Sequence, residues 1–204
     1  MLVRRLVQLY AGLTLYGISA SLILLSGLGN DPWDVLHQGL ARQTPIGTGA
    51  WVCIVGAIVL LGWIPLRQRP GLGTVSNVIV IGAAVAAMLA LLHPAHELGP
   101  RIALLVAGIV LNGLATGLYI GARFGPGPRD GLMTGLAARG LSLRAVRTGI
   151  ELTVLAAGAL LGGTVGIGTV AYAVTIGPLA HIFIPAFTVP LGPAAEGHLA
   201  AQTS

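Results

Sequence analysis

The sequence predicts an all-α polytopic membrane protein: six transmembrane helices as two inverted three-helix repeats, each with a short re-entrant or interfacial helix after its first span. Three observations carry that expectation. The 204 residues are 55% hydrophobic and only 8% charged, with a mean hydropathy of +0.89. A soluble domain carries about 25% charged residues. Six apolar runs each approach the roughly 20 residues that cross a hydrocarbon core. The chain also matches itself at an offset of 96, then 95, residues.

The formal net charge is +5, and all eleven basic residues are arginine. They flank the apolar runs and form no stripe, so no nucleic-acid partner is expected. Without lysine there is neither a P-loop lysine nor a Schiff-base lysine. Cys53 is the single cysteine, which excludes an intrachain disulfide and a cysteine-built zinc site. No nucleophile–base pair or metal constellation is visible. The chain is therefore expected not to be an enzyme, with no cofactor and no metal.

In chain order, Arg4 and Arg5 precede a run from Leu6 to Ser26. It exceeds the about 7–15 apolar residues of a signal peptide and reads as a retained first span. The polar stretch "GLGNDPWDVLHQGL" follows at 27–40. Pro32 suits a first helical turn and Asp34 the positive end of the helix dipole, so a short helix is expected over 32–42. At about 1.5 Å per residue it cannot cross roughly 30 Å of hydrocarbon. The second run, Thr48–Ile64, is bracketed by Trp51 and Trp63 as an aromatic belt would be. The third is Thr74–Leu92. In "HPAHE" at 93–97, Pro94 opposes helical spacing and no third ligand follows, so no metal site is expected there.

The fourth run is Ile102–Ala122, followed by a second short helix over 128–139, a fifth run at Thr148–Gly162 and a sixth at Thr169–Val189. Gly177-Pro178 and Pro185 predict a kink or break in the sixth. "GLGT" and "GGTVGIGT" lack the strand and lysine of a phosphate loop and read as tight turns. Residues 191–204 read as a disordered cytoplasmic tail. With the N-terminus in the cytoplasm, nine arginines lie inside and two, Arg42 and Arg101, outside, as the positive-inside rule requires. Both termini are then cytoplasmic.

The repeat divides the chain into halves at 1–95 and 96–190. "AGLTLYG" at 11–17 falls on "AGIVLNG" at 107–113, and "GNDPWDVLHQGLA" at 29–41 on "GPGPRDGLMTGLA" at 125–137. "GLGT" at 71–74 falls on "GIGT" at 166–169, and Gly82 on Gly177. Three spans per half is an odd number, so the halves take opposite orientations. Transporters with inverted repeats place the solute site near the midplane, where the halves meet.

Candidate site residues follow from the same alignment. Asp34 and Asp130 begin the two short helices, with Arg129 beside the second. A half-helix start can bind an anionic group, or can simply be an interfacial cap. Glu151 is the one carboxylate inside an expected span, and Arg147 lies one turn before it. The two form either a structural pair or part of a solute or proton pathway. Tyr16 and Asn112 occupy equivalent places, as do Asn77 and Tyr172; they line a shared cavity or hydrogen-bond the helices together. His181 is either a proton carrier or a buried hydrogen-bonded histidine.

The motifs quoted above, with "GPGPRDGLM" and the Arg147–Glu151 pair, resemble the YczE/YyaS/YitT family of bacterial integral membrane proteins, closest to the YczE-like branch. The resemblance covers nearly the whole chain. Asn30 departs from it, where the second copy has Pro126. It implies a bacterial plasma (inner) membrane location and little chemistry. The expected function is a secondary transporter or permease for a small solute, with the site near the midplane between the repeats. The alternative is a non-transporting membrane protein, acting as an assembly or regulatory partner or as the substrate-binding subunit of a larger transport system. The expected partners are the lipid bilayer and a small solute, with a homo-oligomer or a membrane partner protein left open.

Overall fold

The computed structural model describes residues 2–190, whose regular structure is entirely helical. The tail expected over 191–204 lies outside the described residues. The elements are α1 (Leu2–Ser26), α2 (Pro32–Gln43), α3 (Thr48–Leu61), α4 (Trp63–Leu66), α5 (Leu72–Leu91), α6 (Leu98–Gly121), α7 (Pro128–Ala137), α8 (Leu143–Leu160) and α9 (Ile167–Phe187). Three starts in the second half, Pro128, Leu143 and Ile167, fall 96 or 95 residues after Pro32, Thr48 and Leu72.

Among the described residues, five segments are long and apolar enough to cross a membrane: α1, α3 with α4, α5, α6 and α9. The fifth expected span is α8. Nothing between Ser142 and Thr148 breaks a helix, so α8 starts at Leu143 and takes in Arg144 and Arg147 as well as Glu151. Its charge separates it from the other five. Of the kink or break expected at Pro178 and Pro185, a break is absent: α9 is one helix with both prolines inside. Within a bilayer, neighbouring groups can satisfy the carbonyls that proline frees.

The two halves hold each other by reciprocal contacts. Arg5 donates from Nε to Ala122 O (3.0 Å) and from Nη2 to Arg123 O (2.9 Å). Its counterpart Arg101 donates from the same atoms to Ser26 O (2.7 Å) and Gly27 O (2.9 Å). Each arginine thus satisfies carbonyls that the end of the other half's first helix leaves unpaired. The Gly73 N–H donates to Phe124 O and the Gly168 N–H to Leu28 O, both at 2.8 Å. The backbone repeats too: φ is 61° at Gly27 and 58° at Arg123, and 119° at Gly29 and 108° at Gly125. A Cβ on Gly29 would meet Thr169 Oγ1 at 2.8 Å, and one on Gly125 would meet Thr74 Oγ1 at 2.9 Å. Only glycine serves there, for conformation and for space.

These contacts run α1 antiparallel to α6, and the pair forms the centre of the molecule. Gly12 packs on Ala115 and Tyr119, and Gly108 on Ser19 and Ile23. Small residues bring the two backbones close, as in membrane helix pairs. The core lies around this seam, with Leu9, Leu13, Ile81, Val85 and Tyr119 buried together between α1, α5 and α6.

One contact is not reciprocal. α3 and α5 pack closely where Gly49 faces Gly82, and a Cβ on Gly82 would collide with Cys53 Sγ. The equivalent residues are Arg144 and Gly177. A Cβ on Gly177 would meet nothing within 4 Å, and α8 barely touches α9. Instead α8 leans on α2, where the Gly158 backbone meets Val35 and Leu36. Trp63 is also not the interfacial anchor expected of it. It is 2% exposed, lies over Gly131, and donates from Nε1 to Pro128 O at 3.0 Å.

Candidate functional site

A cavity of about 580 Å³ lies between α3, α5, α6, α8 and α9, and the starts of α2 and α7 project into it. Pro32 and Pro128 each occupy the first helical turn, where a missing N–H removes no hydrogen bond. Asp31 is the N-cap of α2, accepting from the backbone N–H of Trp33 (2.9 Å) and Asp34 (3.2 Å). Gly127, the N-cap of α7, supplies no side-chain cap. The two starts meet. Asp31 Oδ1 is 3.6 Å from Arg129 Nη1, and the Arg129 guanidinium lies 4.9 Å from the centroid of the Trp33 ring. Trp33 and Arg129 are themselves equivalent residues of the repeat.

Around this junction the polar groups pair off. Asp34 is buried behind the cavity, 3.0 Å from His37 Nδ1. Desolvation and the nearby Arg129 charge push His37 down to about 3. His37 is therefore neutral, and its Nδ1–H donates to Asp34. Burial, reinforced by Asp34 and opposed by Arg129, pushes Asp31 up to about 7. Tyr119 donates to Asp130 Oδ2 at 3.3 Å. Arg147 Nε is 2.9 Å from Glu151 Oε1. Tyr172 donates to Asn112 Oδ1 (3.0 Å), and Asn112 Nδ2 donates to Ser19 Oγ (2.9 Å).

Of the residues singled out by sequence, Asp130, Arg129, Glu151, Arg147, Asn77, Tyr16 and Tyr172 all line the cavity, and so does His181. Asp34 and Asn112 do not; each stands behind a lining residue, His37 and Tyr172 respectively. Sequence reasoning missed Asp31 and His37. An Asp immediately before a proline at a helix start is a recognisable N-cap signal. His37 gave none, since its repeat counterpart is Met133. The chain holds six carboxylates, and three of them, Asp31, Asp130 and Glu151, face this one space. Such clustering within a bundle of apolar helices makes this space the candidate site.

A model of a family of unknown function, DUF6198, matches residues 3–185. An uncharacterized protein of Haemophilus influenzae is 43% identical over 173 residues, covering 84% of this chain and 79% of that protein. The uncharacterized membrane protein YczE of Bacillus subtilis is 32% identical over 188 residues, covering 90% of this chain and 87% of its own. The uncharacterized protein YyaS of the same organism is 29% identical over 181 residues, covering 85% and 89%. No solved structure matches.

Proposed function

Because the chain belongs to the family of unknown function DUF6198 and is an integral membrane protein akin to YczE and YyaS, we propose that it carries a small solute across the membrane through the cavity at its centre. In this reading α8 is a sixth span. Its three charges are accommodated because Arg147 and Glu151 face the cavity and Arg144 sits near one end. Two three-span halves then lie in opposite orientation, in a bacterial inner membrane, with the N-terminus in the cytoplasm. The reciprocal arginine caps and the antiparallel α1–α6 seam support that arrangement, since an odd number of spans per half requires it.

The observation that carries the proposal is the meeting of the two half-helix starts, Asp31–Trp33 and Arg129–Asp130, at a cavity lined by Tyr16 from the middle of α1. Interfacial connectors would lie apart, at the two faces of the bundle. Half-helix starts facing a shared space are how inverted-repeat transporters build a solute site. The unequal packing supplies a route. The first half is closed through Gly49 and Gly82, whereas the α8–α9 gap of the second is open. Closing one gap while opening the other would give access from alternate faces. With the arginine-rich ends in the cytoplasm, this is the inward-open state, and the role is passage without chemistry.

The test is an untargeted metabolite comparison between deletion and overexpression strains, followed by uptake of the altered solute into proteoliposomes. Arg129→Ala removes the contact to both Asp31 and Trp33, and is expected to cut initial uptake at least tenfold while elution stays monodisperse. Equal uptake by the variant would contradict the proposal.

A further inference from the structure

The cavity's charges are unevenly satisfied. Both arginines that line it already face a carboxylate, Arg129 with Asp31 and Arg147 with Glu151. Asp130 is the lining carboxylate without a salt bridge: among the described residues it has no cation within 4 Å, meets the charges of Arg147 and Arg129 only through space, and accepts one hydrogen bond, from Tyr119. An anionic solute would share each guanidinium with the carboxylate already beside it. A cationic one finds Asp130 waiting.

The geometry narrows the cation. Asp130 Oδ2, Tyr119 Oη and Asn77 Nδ2 converge on the space in front of Gly127: a Cβ built there would lie 3.4, 3.4 and 3.6 Å from them. The phenol donates its proton to Asp130 and keeps lone pairs to accept with. The oxygen and nitrogen of the Asn77 amide are interchangeable by a flip, which turns its acceptor to the same space. Three acceptors around one small volume match the three N–H donors of a primary ammonium group. Tyr16, Tyr119, Tyr172 and Trp33 line the same cavity, and aromatic faces attract cations.

We infer that the cavity binds a primary amine, with its ammonium group held by Asp130, Tyr119 and Asn77 in front of Gly127. This rests on the reading of the cavity as a solute site and adds the class of solute. Four probes separate the possibilities in a thermal-unfolding titration of the whole protein in nanodiscs: butylammonium, tetramethylammonium, sodium and acetate. Butylammonium is expected to raise the unfolding temperature saturably. Tetramethylammonium, which has no N–H donor, should bind at least tenfold more weakly.

Gly127→Ala places a methyl at that point in ordinary van der Waals contact and keeps the Asp130 side chain in place; its φ of −62° suits alanine. It should weaken butylammonium at least tenfold. Tyr119→Phe, which removes one acceptor, should do the same. Undiminished binding in both variants overturns the assigned site. A shift with acetate or sodium but not butylammonium overturns the ligand class while leaving the cavity as a solute site. No shift with any probe overturns both.

Discussion

Asp31 shows how much one residue can do at this junction. It caps α2 with its carboxylate and faces Arg129 while nearly fully buried. Its acid is pushed above the usual carboxylate range to about 7, so the folded protein holds that proton more tightly than the unfolded chain. The resulting stability is fully present below the unfolded value of about 4 and is lost as pH rises through 7. The unfolding temperature should therefore fall between pH 5 and pH 8, and Asp31→Asn, which still caps, should flatten that slope; an unchanged slope would show that another group sets it.

Neither Asp31 nor His37 was legible from the repeat. Self-alignment finds what both halves share, such as Asp34 and Asp130. Asp31 is matched by Gly127 and His37 by Met133. Part of the site is thus built from residues in which the halves differ.

At the level of elements, the placement of the helices was largely readable, because apolar run length and proline position depend on local chemistry. The closeness of their packing was not readable, because it depends on which glycine meets which backbone. Gly82 and Gly177 are the same residue at equivalent positions in opposite surroundings. Gly82→Ala drives a methyl into Cys53 and the Gly49 carbonyl and should destabilise by about 1–3 kcal/mol as overpacking. Gly177→Ala meets open space and should stay within about 0.5 kcal/mol of wild type. Comparable losses in the two variants, by chemical or thermal unfolding, would mean that the α8–α9 gap is closed.

The arginine caps make a second element-scale prediction. Arg5→Ala and Arg101→Ala each remove two charge-assisted hydrogen bonds to helix-end carbonyls. Each should cost about 1.5–3 kcal/mol. The two sites lie at opposite ends of α1, so the double variant should lose the sum to within about 0.5 kcal/mol.

Over the whole molecule, the reciprocal caps, the antiparallel α1–α6 seam and the junction of Trp33 with Arg129 describe two halves wrapped around one cavity. Composition alone could place the chain in a membrane. The count of spans is harder, because α8 carries three charges, of which Arg147 and Glu151 line the cavity. Single cysteines in the α2–α3 loop at Ile46 and before α8 at Ser142, both exposed, should report opposite faces, Ile46→Cys outside and Ser142→Cys inside.

The most direct test of a water-reached cavity between the halves is labelling at Ala180, which lines it from α9. In a Cys53→Ser background, Ala180→Cys would be exposed to a membrane-impermeant maleimide from each face of sealed vesicles, with the two loop cysteines as controls. Labelling is expected from the cytoplasmic face alone. Labelling of both controls with no labelling of Ala180→Cys from either face would contradict it.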